Sequence, residues 1–221
     1  SSLISLDNFR CENNLLTSLD VSNNINLNAL NCSSNQLTNL NLTQINSLTY
    51  LNCNNNQLTS LDASDQALTQ LYCSNNPLLT ELRCQNNQLT SLDVNSLTAL
   101  TWLECTSNQL TSLDVSNNTA LTSLECVSNQ LTILDLRNGN NQNLYLSVIS
   151  NPNLTCINVD DVNYTTNNWL LIDAQHYFST NCSAPNSVQE IPHSISLYPN
   201  PTNENITISI NNFTGNIQTE V

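Results

Sequence analysis

A short unit repeats along most of this chain and limits what the chain can fold into. The unit has the form LxxLx(C/V)xxN, is ten or eleven residues long, and recurs from Leu6 to about Val159. Its apolar residues stand at positions 1, 4 and 6, so a spacing of three is followed by a spacing of two. This spacing fits a short strand entered from a bend, and it does not fit a helix of about 3.6 residues per turn. The repeat therefore predicts short strands joined by bends.

Two kinds of unit mostly alternate. Cysteine units carry Cys at position 6, as in LTWLECTSNQ from Leu100, and valine units carry Val, Leu or Ala there, as in LTSLDVSNNTA from Leu110. One unit of each kind makes about twenty-one residues. Ordering them costs about 20 to 40 kcal/mol, whereas burying their six apolar side chains contributes roughly 9 to 15 kcal/mol. A pair of units cannot fold alone, so we expect the units to stack into a solenoid with a shared core.

The cysteine-unit pattern LxxLxCxxNQL resembles the leucine-rich repeat segment LxxLxLxxNxL over about 155 of the 221 residues. The resemblance implies a leucine-rich repeat solenoid of the α/β class, strand-dominated with few helices, with about seven turns and a parallel sheet on one face. Position 9 of the cysteine units is always Asn. An inward Asn can pair the backbone groups that are freed where the chain leaves a strand. We therefore expect the cysteine units to form the main, concave sheet.

Most of the cysteines are predicted to be free thiols in the core. Zinc binding would need closely paired cysteines or nearby histidines, and the repeats contain neither. Disulfides between stacked neighbours are disfavoured because parallel strands lie ~4.8 Å apart, whereas the Cβ atoms of a disulfide lie ~3.8 Å apart. The cysteines at position 6 are Cys11, Cys32, Cys53, Cys73, Cys84, Cys105 and Cys126.

Cys73 and Cys84 are only eleven residues apart because two cysteine units follow one another, at Leu68 and Leu79. Two arrangements are open. In one, the two kinds of unit exchange faces within residues 68–88, which places the two cysteines on opposite walls. In the other, a single turn is swollen to thirty-one residues. Neither arrangement makes the pair a metal or disulfide site.

The segment after the repeats resembles the C-terminal flank that closes the core of some bacterial leucine-rich repeat proteins. It is rich in large apolar residues, among them Trp169 and Phe178. At such a flank we expect a disulfide between Cys156 and Cys182, with two unpaired cysteines as the alternative. A bridge would suit an oxidising compartment.

The end of the chain has a different composition. Its Tyr198, Pro199, Asn200 and Pro201, followed by alternating isoleucines, are similar to the start of the C-terminal sorting domain read by the type IX secretion system of Bacteroidetes. The similarity implies a bacterial protein that is secreted or attached to the outer surface and meets the secretion machinery through this tail. Such domains usually continue further, so we expect a fragment of one. The predicted domains are a solenoid at 1–160, a capping flank at 161–182, a linker at 183–193 and the sorting fragment at 194–221.

Charge and motif content exclude several functions. The chain has 3 Lys and Arg against 17 Asp and Glu, a net charge of -14, which repels nucleic acid and anionic lipid. No apolar run approaches the ~18 residues of a membrane span. No catalytic triad, phosphate loop or metal cluster is evident, and Asp160 and Asp161 are expected to be solvated. The chain is therefore predicted to be neither an enzyme nor dependent on a cofactor.

Larger side chains collect at the outward positions of the cysteine units. Aromatic residues and Arg are the types that dominate binding at interfaces, and rigid solenoids present such positions for recognition. We therefore predict an extracellular or cell-surface module for recognition of, or adhesion to, a protein or glycan. The candidate ligand-binding residues are Tyr50, Tyr72, Arg83, Trp102, Glu104 and Glu125.

Two further columns leave alternatives open. Thr stands at position 2 of many units, from Thr17 to Thr132, and a flat Thr array would suit ice binding unless the hydroxyls bond to nearby backbone. Acidic residues at position 5 of the valine units could hold calcium weakly, or they could form a solvated scaffold. This acidic column is Asp20, Asn41, Asp62, Asp93, Asp114 and Asp135.

Overall fold

Short strands follow one another along residues 6–183, the part of the chain that this computed structural model describes. The predicted linker beyond residue 183, the sorting fragment and its motif at 198–201 lie outside the described residues. Each strand is three residues long and centred on an inward Leu, Phe or Ile. The strands are β1 Asn8–Arg10, β2 Ala29–Asn31, β3 Tyr50–Asn52, β4 Ser60–Asp62, β5 Gln70–Tyr72, β6 Glu81–Arg83, β7 Trp102–Glu104, β8 Ser112–Asp114, β9 Ser123–Glu125, β10 Ile133–Asp135, β11 Tyr145–Ser147, β12 Cys156–Asn158 and β13 Tyr177–Ser179. The helices are a 3-10 turn at Asn141–Asn143 and α1 at Val162–Asn168.

All strand pairs are parallel and form three sheets within the described residues. The first sheet has the order β1-β2-β3-β5, the second β4-β6-β7-β9-β11, and the third β8-β10-β12-β13. Gln88, directly before the unit from Leu89, donates its backbone N–H to the carbonyl of Leu68 at 2.8 Å. Gln109, directly before the unit from Leu110, donates in the same way to the carbonyl of Leu89 at 2.9 Å. The units from Leu68, Leu89 and Leu110 therefore stack in succession. The first and third sheets therefore share one side of the solenoid, here called the first wall, and the second sheet forms the second wall.

The predicted leucine-rich repeat solenoid is confirmed, strand-dominated and with one α-helix in the described part. It has about eight turns, one more than the repeat count predicts. The expectation of a parallel sheet on one face is incomplete. Units of both kinds contribute strands, so both walls carry parallel sheets.

The two kinds of unit exchange walls within residues 68–88. The cysteine-unit strand β5 pairs with β3, but the next cysteine-unit strand, β6, pairs with β4 of a valine unit, with Asp62 opposite Arg83. Cys73 and Cys84 therefore lie on opposite walls, and the swollen turn is wrong. The expectation of one main sheet of cysteine units is also wrong. Each unit takes the chain from one wall to the other, whatever residue occupies position 6. After two cysteine units in succession, the later cysteine units therefore lie on the second wall and the later valine units on the first.

The core cysteines match the prediction. Seven cysteines are free, six of them buried and Cys11 half-buried. Burial raises the pKa of Cys32, Cys73 and Cys126 to about 12. Because the thiolate is the reactive form, these thiols are chemically inert and pack as small apolar side chains.

The asparagines at position 9 hold the turns together. Asn76 donates from Nδ2 to the carbonyls of Cys73 and Cys53 at 2.8 and 3.1 Å, and its Oδ1 accepts the N–H of Leu58 at 3.1 Å. One amide thus pairs backbone groups of its own turn and of an adjacent turn, as predicted. In the cysteine units the buried members of this column are Asn35, Asn56, Asn76, Asn87, Asn108 and Asn129. Asn118 of a valine unit and Asn151 of the unit around β11 are also buried at this position. Asn14, in the first described unit, is exposed.

The flank after the repeats packs onto the last turns. Trp169 is buried, donates from Nε1 to the carbonyl of Leu144 at 3.2 Å, and meets the ring of Phe178 edge-on at 5.6 Å. β13 extends the third sheet by pairing with β12. The predicted disulfide between Cys156 and Cys182 is present. Its loop ties β12 to the end of β13.

The paired acids at 160 and 161 have structural roles. Asp161 caps α1, where its Oδ1 accepts the N–H of Tyr164 at 2.9 Å. Asp160 accepts the N–H of Gly139 at 2.7 Å. Gly139 has a φ of 74°, a left-handed conformation that glycine adopts without strain. Within residues 6–183 no helix has the length and apolar character of a membrane span.

Candidate functional site

The wall exchange divides the six predicted ligand-binding residues between two surfaces. Tyr50 and Tyr72 lie on the outer side of β1, β2, β3 and β5, here called the tyrosine face. The other four lie on the outer side of β4, β6, β7, β9 and β11, here called the tryptophan face; they are Arg83, Trp102, Glu104 and Glu125. The six candidates therefore belong to two surfaces on opposite walls, and their role in ligand binding stays a prediction.

Arg83 and Trp102 form the centre of the tryptophan face. The register places Arg83 between Asp62 and Glu104 on the neighbouring strands. Its guanidinium nevertheless lies over the Trp102 ring, 4.2 Å from the ring centroid. Among residues 6–183 it makes no ion pair within 4.0 Å. The cation and the aromatic ring thus form one stacked unit, a contact typical of Arg on Trp.

Three polar atoms around this stack have no hydrogen-bond partner. They are Arg83 Nε, Trp102 Nε1 and Gln85 Oε1, each buried in the described part of the chain. A buried polar atom without a partner costs about 1 to 3 kcal/mol. In the described part of the chain, Gln66 Oε1, Asn118 Oδ1 and His176 Nε2 are buried without a partner as well, so the stack is one of several places that carry this cost.

Negative charge surrounds the stack. Asp62, Glu104 and Glu125 lie in one cross-strand column with Arg83, and Glu81 lies beside Trp102 on the neighbouring strand. Burial and the like charge of Glu125 raise the pKa of Glu104, and Arg83 opposes that shift. Adjacent like charges on a sheet repel. The tryptophan face therefore has an excess of negative charge that a positively charged partner would neutralise.

The tryptophan face continues into an apolar end that the sequence analysis missed. Tyr145 on β11 and Ile149 just beyond it are 52% and 37% exposed. Tyr145 also lines a depression of about 260 Å³ with Tyr164, Leu170 and Leu171. The unit around β11 lacks the leading Leu-Thr and the Cys of the other units. The residues of this unit that still match the repeat are Leu146 at position 4, Val148 at position 6 and Asn151 at position 9.

The tyrosine face carries a depression of about 340 Å³. Ala29 forms its floor, because Ala29 pairs in register with Asn8 on one side and Tyr50 on the other and is much smaller than both. Arg10 and Asn31 complete the lining. The sequence does not reveal this depression, because it depends on which side chains stand next to one another across neighbouring strands.

The acidic column of the valine units is used locally and is divided by the wall exchange. Asp62 and Asp114 each accept the backbone N–H two residues later, from Ser64 and Ser116 at 3.1 and 2.9 Å. No three His, Cys, Asp or Glu residues between 6 and 183 are arranged to hold a metal ion. Weak calcium binding stays a prediction.

Six threonine hydroxyls of the position-2 column donate hydrogen bonds within the solenoid, those of Thr49, Thr69, Thr80, Thr101, Thr122 and Thr132. Thr101 Oγ1 donates to the carbonyl of Thr80 at 3.0 Å, and Thr122 Oγ1 donates to that of Thr101 at 3.1 Å. Similar bonds join Thr69 to the preceding turn and Thr132 to Thr111. These bonds agree with the local alternative to ice binding, because the hydroxyl protons are already engaged.

Comparisons with known proteins give structural matches alone, since no family model and no curated protein matches the chain. The functional domain of InlJ from Listeria monocytogenes, which includes a cysteine ladder, is 26% identical with a TM-score of 0.35, covering 80% of this chain and 59% of that one. Internalin C2 from Listeria monocytogenes str. 4b F2365 is 20% identical with a TM-score of 0.35, covering 80% and 81%. The leucine-rich repeat domain of APL1B is 23% identical with a TM-score of 0.36, covering 76% and 52%. The chain thus spans little more than half of the InlJ and APL1B structures.

Proposed function

We propose that the protein is a recognition module that binds another protein through the tryptophan face. The observation that carries the proposal is the Arg83 and Trp102 stack, with unpaired polar atoms at the centre of a rigid sheet. Trp and Arg are the residues most often responsible for binding energy at protein interfaces. Apolar residues at one end of the same face, Tyr145 and Ile149, enlarge the contact area.

The chemistry of this face favours a protein partner with a positively charged segment. Glu104 and Glu125 are aligned on neighbouring strands, and they outnumber the single cation Arg83. A protein supplies Lys or Arg side chains that can pair with these carboxylates. A neutral glycan would leave the charge uncompensated, so the tryptophan face suits a glycan less well.

A protein array tests this proposal. We expect purified extracellular proteins that bind the full chain to lose at least about 30-fold in affinity with Trp102→Ala, the effect of a residue central to an interface. The matched control is Tyr72→Ala, which truncates an exposed aromatic residue on the other wall. Equal loss with both variants, or no loss with Trp102→Ala, contradicts the face assignment.

We extend the proposal to location, as a secreted or surface-attached protein acting in recognition or adhesion. The Cys156 to Cys182 disulfide supports this because disulfides persist in oxidising compartments. The similarity of the tail to a type IX sorting domain supports export by that machinery. Labelling of intact bacterial cells with a membrane-impermeant reagent tests the location, and protection of the protein until lysis would contradict it.

A further inference from the structure

We propose that the depression on the tyrosine face is a second binding site, which takes one ring of a neutral saccharide. The site lies on the first wall and shares no residue with the tryptophan face. It is therefore independent of the protein-binding function proposed above.

The shape of the depression suits a small ligand. Ala29 leaves a gap between Asn8 and Tyr50 because its side chain ends where theirs continue. The gap has a volume of about 340 Å³, at the lower end of the ~300 to 1,000 Å³ of small-molecule sites. A single sugar ring with its hydroxyls fits this volume, and a folded peptide segment does not.

Two residues that line the depression, Tyr50 and Asn31, are held in place by their neighbours. The Tyr50 ring packs against the Tyr72 ring, with centroids 5.7 Å apart and an interplanar angle of 53°. Asn31 Oδ1 accepts both the N–H and the O–H of Ser33, at 3.2 and 2.8 Å. An aromatic ring and an amide that are already oriented lose little conformational freedom when a ligand binds.

The lining of the depression also contains hydrogen-bonding groups that are free to meet a ligand. Among residues 6–183 the Asn8 amide and the NH₂ group of Asn31 have no hydrogen-bond partner. Amides donate and accept, as sugar hydroxyls do. The face of the Tyr50 ring carries partial negative charge, which attracts the C–H groups on the apolar side of a sugar ring. Both kinds of surface on a saccharide therefore find a counterpart.

The charge in the lining of the depression is balanced. Arg10 is the one cation in the lining, and its Nε and Nη2 both donate to Glu12 Oε1, at 3.1 and 2.6 Å. This pairing neutralises the guanidinium and leaves Nη1 to donate to a ligand. The chain as a whole has a charge of -14, which repels anions. A neutral ligand is therefore favoured over anionic sugars.

Saturation-transfer NMR on the full chain tests the site with methyl glycosides of glucose, galactose, mannose and N-acetylglucosamine. We expect at least one to bind with a dissociation constant on the order of 1 mM, as suits a small neutral ligand. Glucuronic acid, an anionic counterpart, is expected to bind at least about 10-fold more weakly. Absence of binding by all four glycosides up to about 20 mM overturns the proposal, as does equal binding of glucuronic acid.

Ala29→Leu is the decisive variant because it fills the depression from an outward position. We expect it to abolish glycoside binding while the melting temperature stays unchanged. Ser112→Leu, which adds the same side chain at an exposed position on β8 of the same wall, is the matched control and should bind as the original chain does. Trp102→Ala should also leave glycoside binding intact. Retained binding in Ala29→Leu, or equal loss in Ser112→Leu, would show that the depression is not the site.

Discussion

The tyrosine face and the tryptophan face have the same backbone and different chemistry. Both consist of three-residue parallel strands in strict register, each centred on an inward apolar residue. One face presents amides and tyrosines around a neutral ion pair, and the other presents carboxylates around a cation stacked on an indole. The inward residues determine the solenoid, and the outward residues vary without cost to it. A chain with one core can therefore present two chemically different surfaces.

The largest expected effect on stability comes from replacing Asn87. This residue belongs to the unit of β6, the first cysteine unit whose strand lies on the second wall. Its Nδ2 donates to the carbonyls of Ala63 and Cys84 at 2.8 and 3.0 Å, and its Oδ1 accepts the N–H of Leu68 at 2.9 Å. Asn87→Ala leaves these buried groups without partners, and we expect a loss of about 3 to 5 kcal/mol in the free energy of unfolding. Urea denaturation measures it.

The control for this variant is Asn117→Ala, which removes an exposed amide. We expect a change within about 0.5 kcal/mol for the control. If Asn87→Ala costs no more than Asn117→Ala, the two walls are not held together by the buried amides.

A smaller effect is expected from the C-terminal disulfide. Replacing Cys156 and Cys182 by Ser opens a loop that spans 26 residues and should cost about 3 kcal/mol. Amide hydrogen exchange should show lost protection in β12 and β13 and unchanged protection in β2 and β3. Equal loss in all four strands would mean that the first and third sheets unfold as one unit.

The smallest effect compares one carboxylate from each face, and the two should respond to pH with opposite signs. Burial and Glu125 raise the pKa of Glu104, so its ionised form opposes folding as pH rises through that pKa. Glu104→Gln should therefore raise the melting temperature slightly at pH 7 and leave it unchanged near pH 3.

Glu12 is the opposite case. The hydrogen bond from Arg10 lowers the pKa of Glu12, so its contribution is present above the ordinary carboxyl pKa and is lost as pH falls. Glu12→Gln should lower the melting temperature slightly at pH 7. The same sign for both variants would contradict the electrostatic difference between the faces.

The repeat predicts the core well because its chemistry is local. Once the strand period is known, the inward direction of four side chains in each unit follows from it. These are Leu at positions 1 and 4, Cys at position 6 and Asn at position 9. The wall assignment was harder. Either kind of unit fits either wall, so no single residue near Cys73 or Cys84 marks the exchange. Its sequence signal is that unit starts continue every ten or eleven residues through this stretch while two cysteine units follow one another.

The surfaces were less predictable because they depend on neighbours across strands. Arg83 has acidic residues on both sides in register and stacks on Trp102 instead. The depression on the tyrosine face depends on Ala29 being small between two larger residues. A single sequence shows which residues point outward, and it does not show which of them meet.

The wall exchange has an evolutionary consequence. Duplicating or deleting one unit of ten or eleven residues transfers every later side chain to the opposite side of the molecule and preserves the stacking of the interior. Two successive cysteine units at Leu68 and Leu79 are what one such event would leave behind. A gain of half a turn can thus create a new combination of exposed residues in one genetic step, without any point mutation.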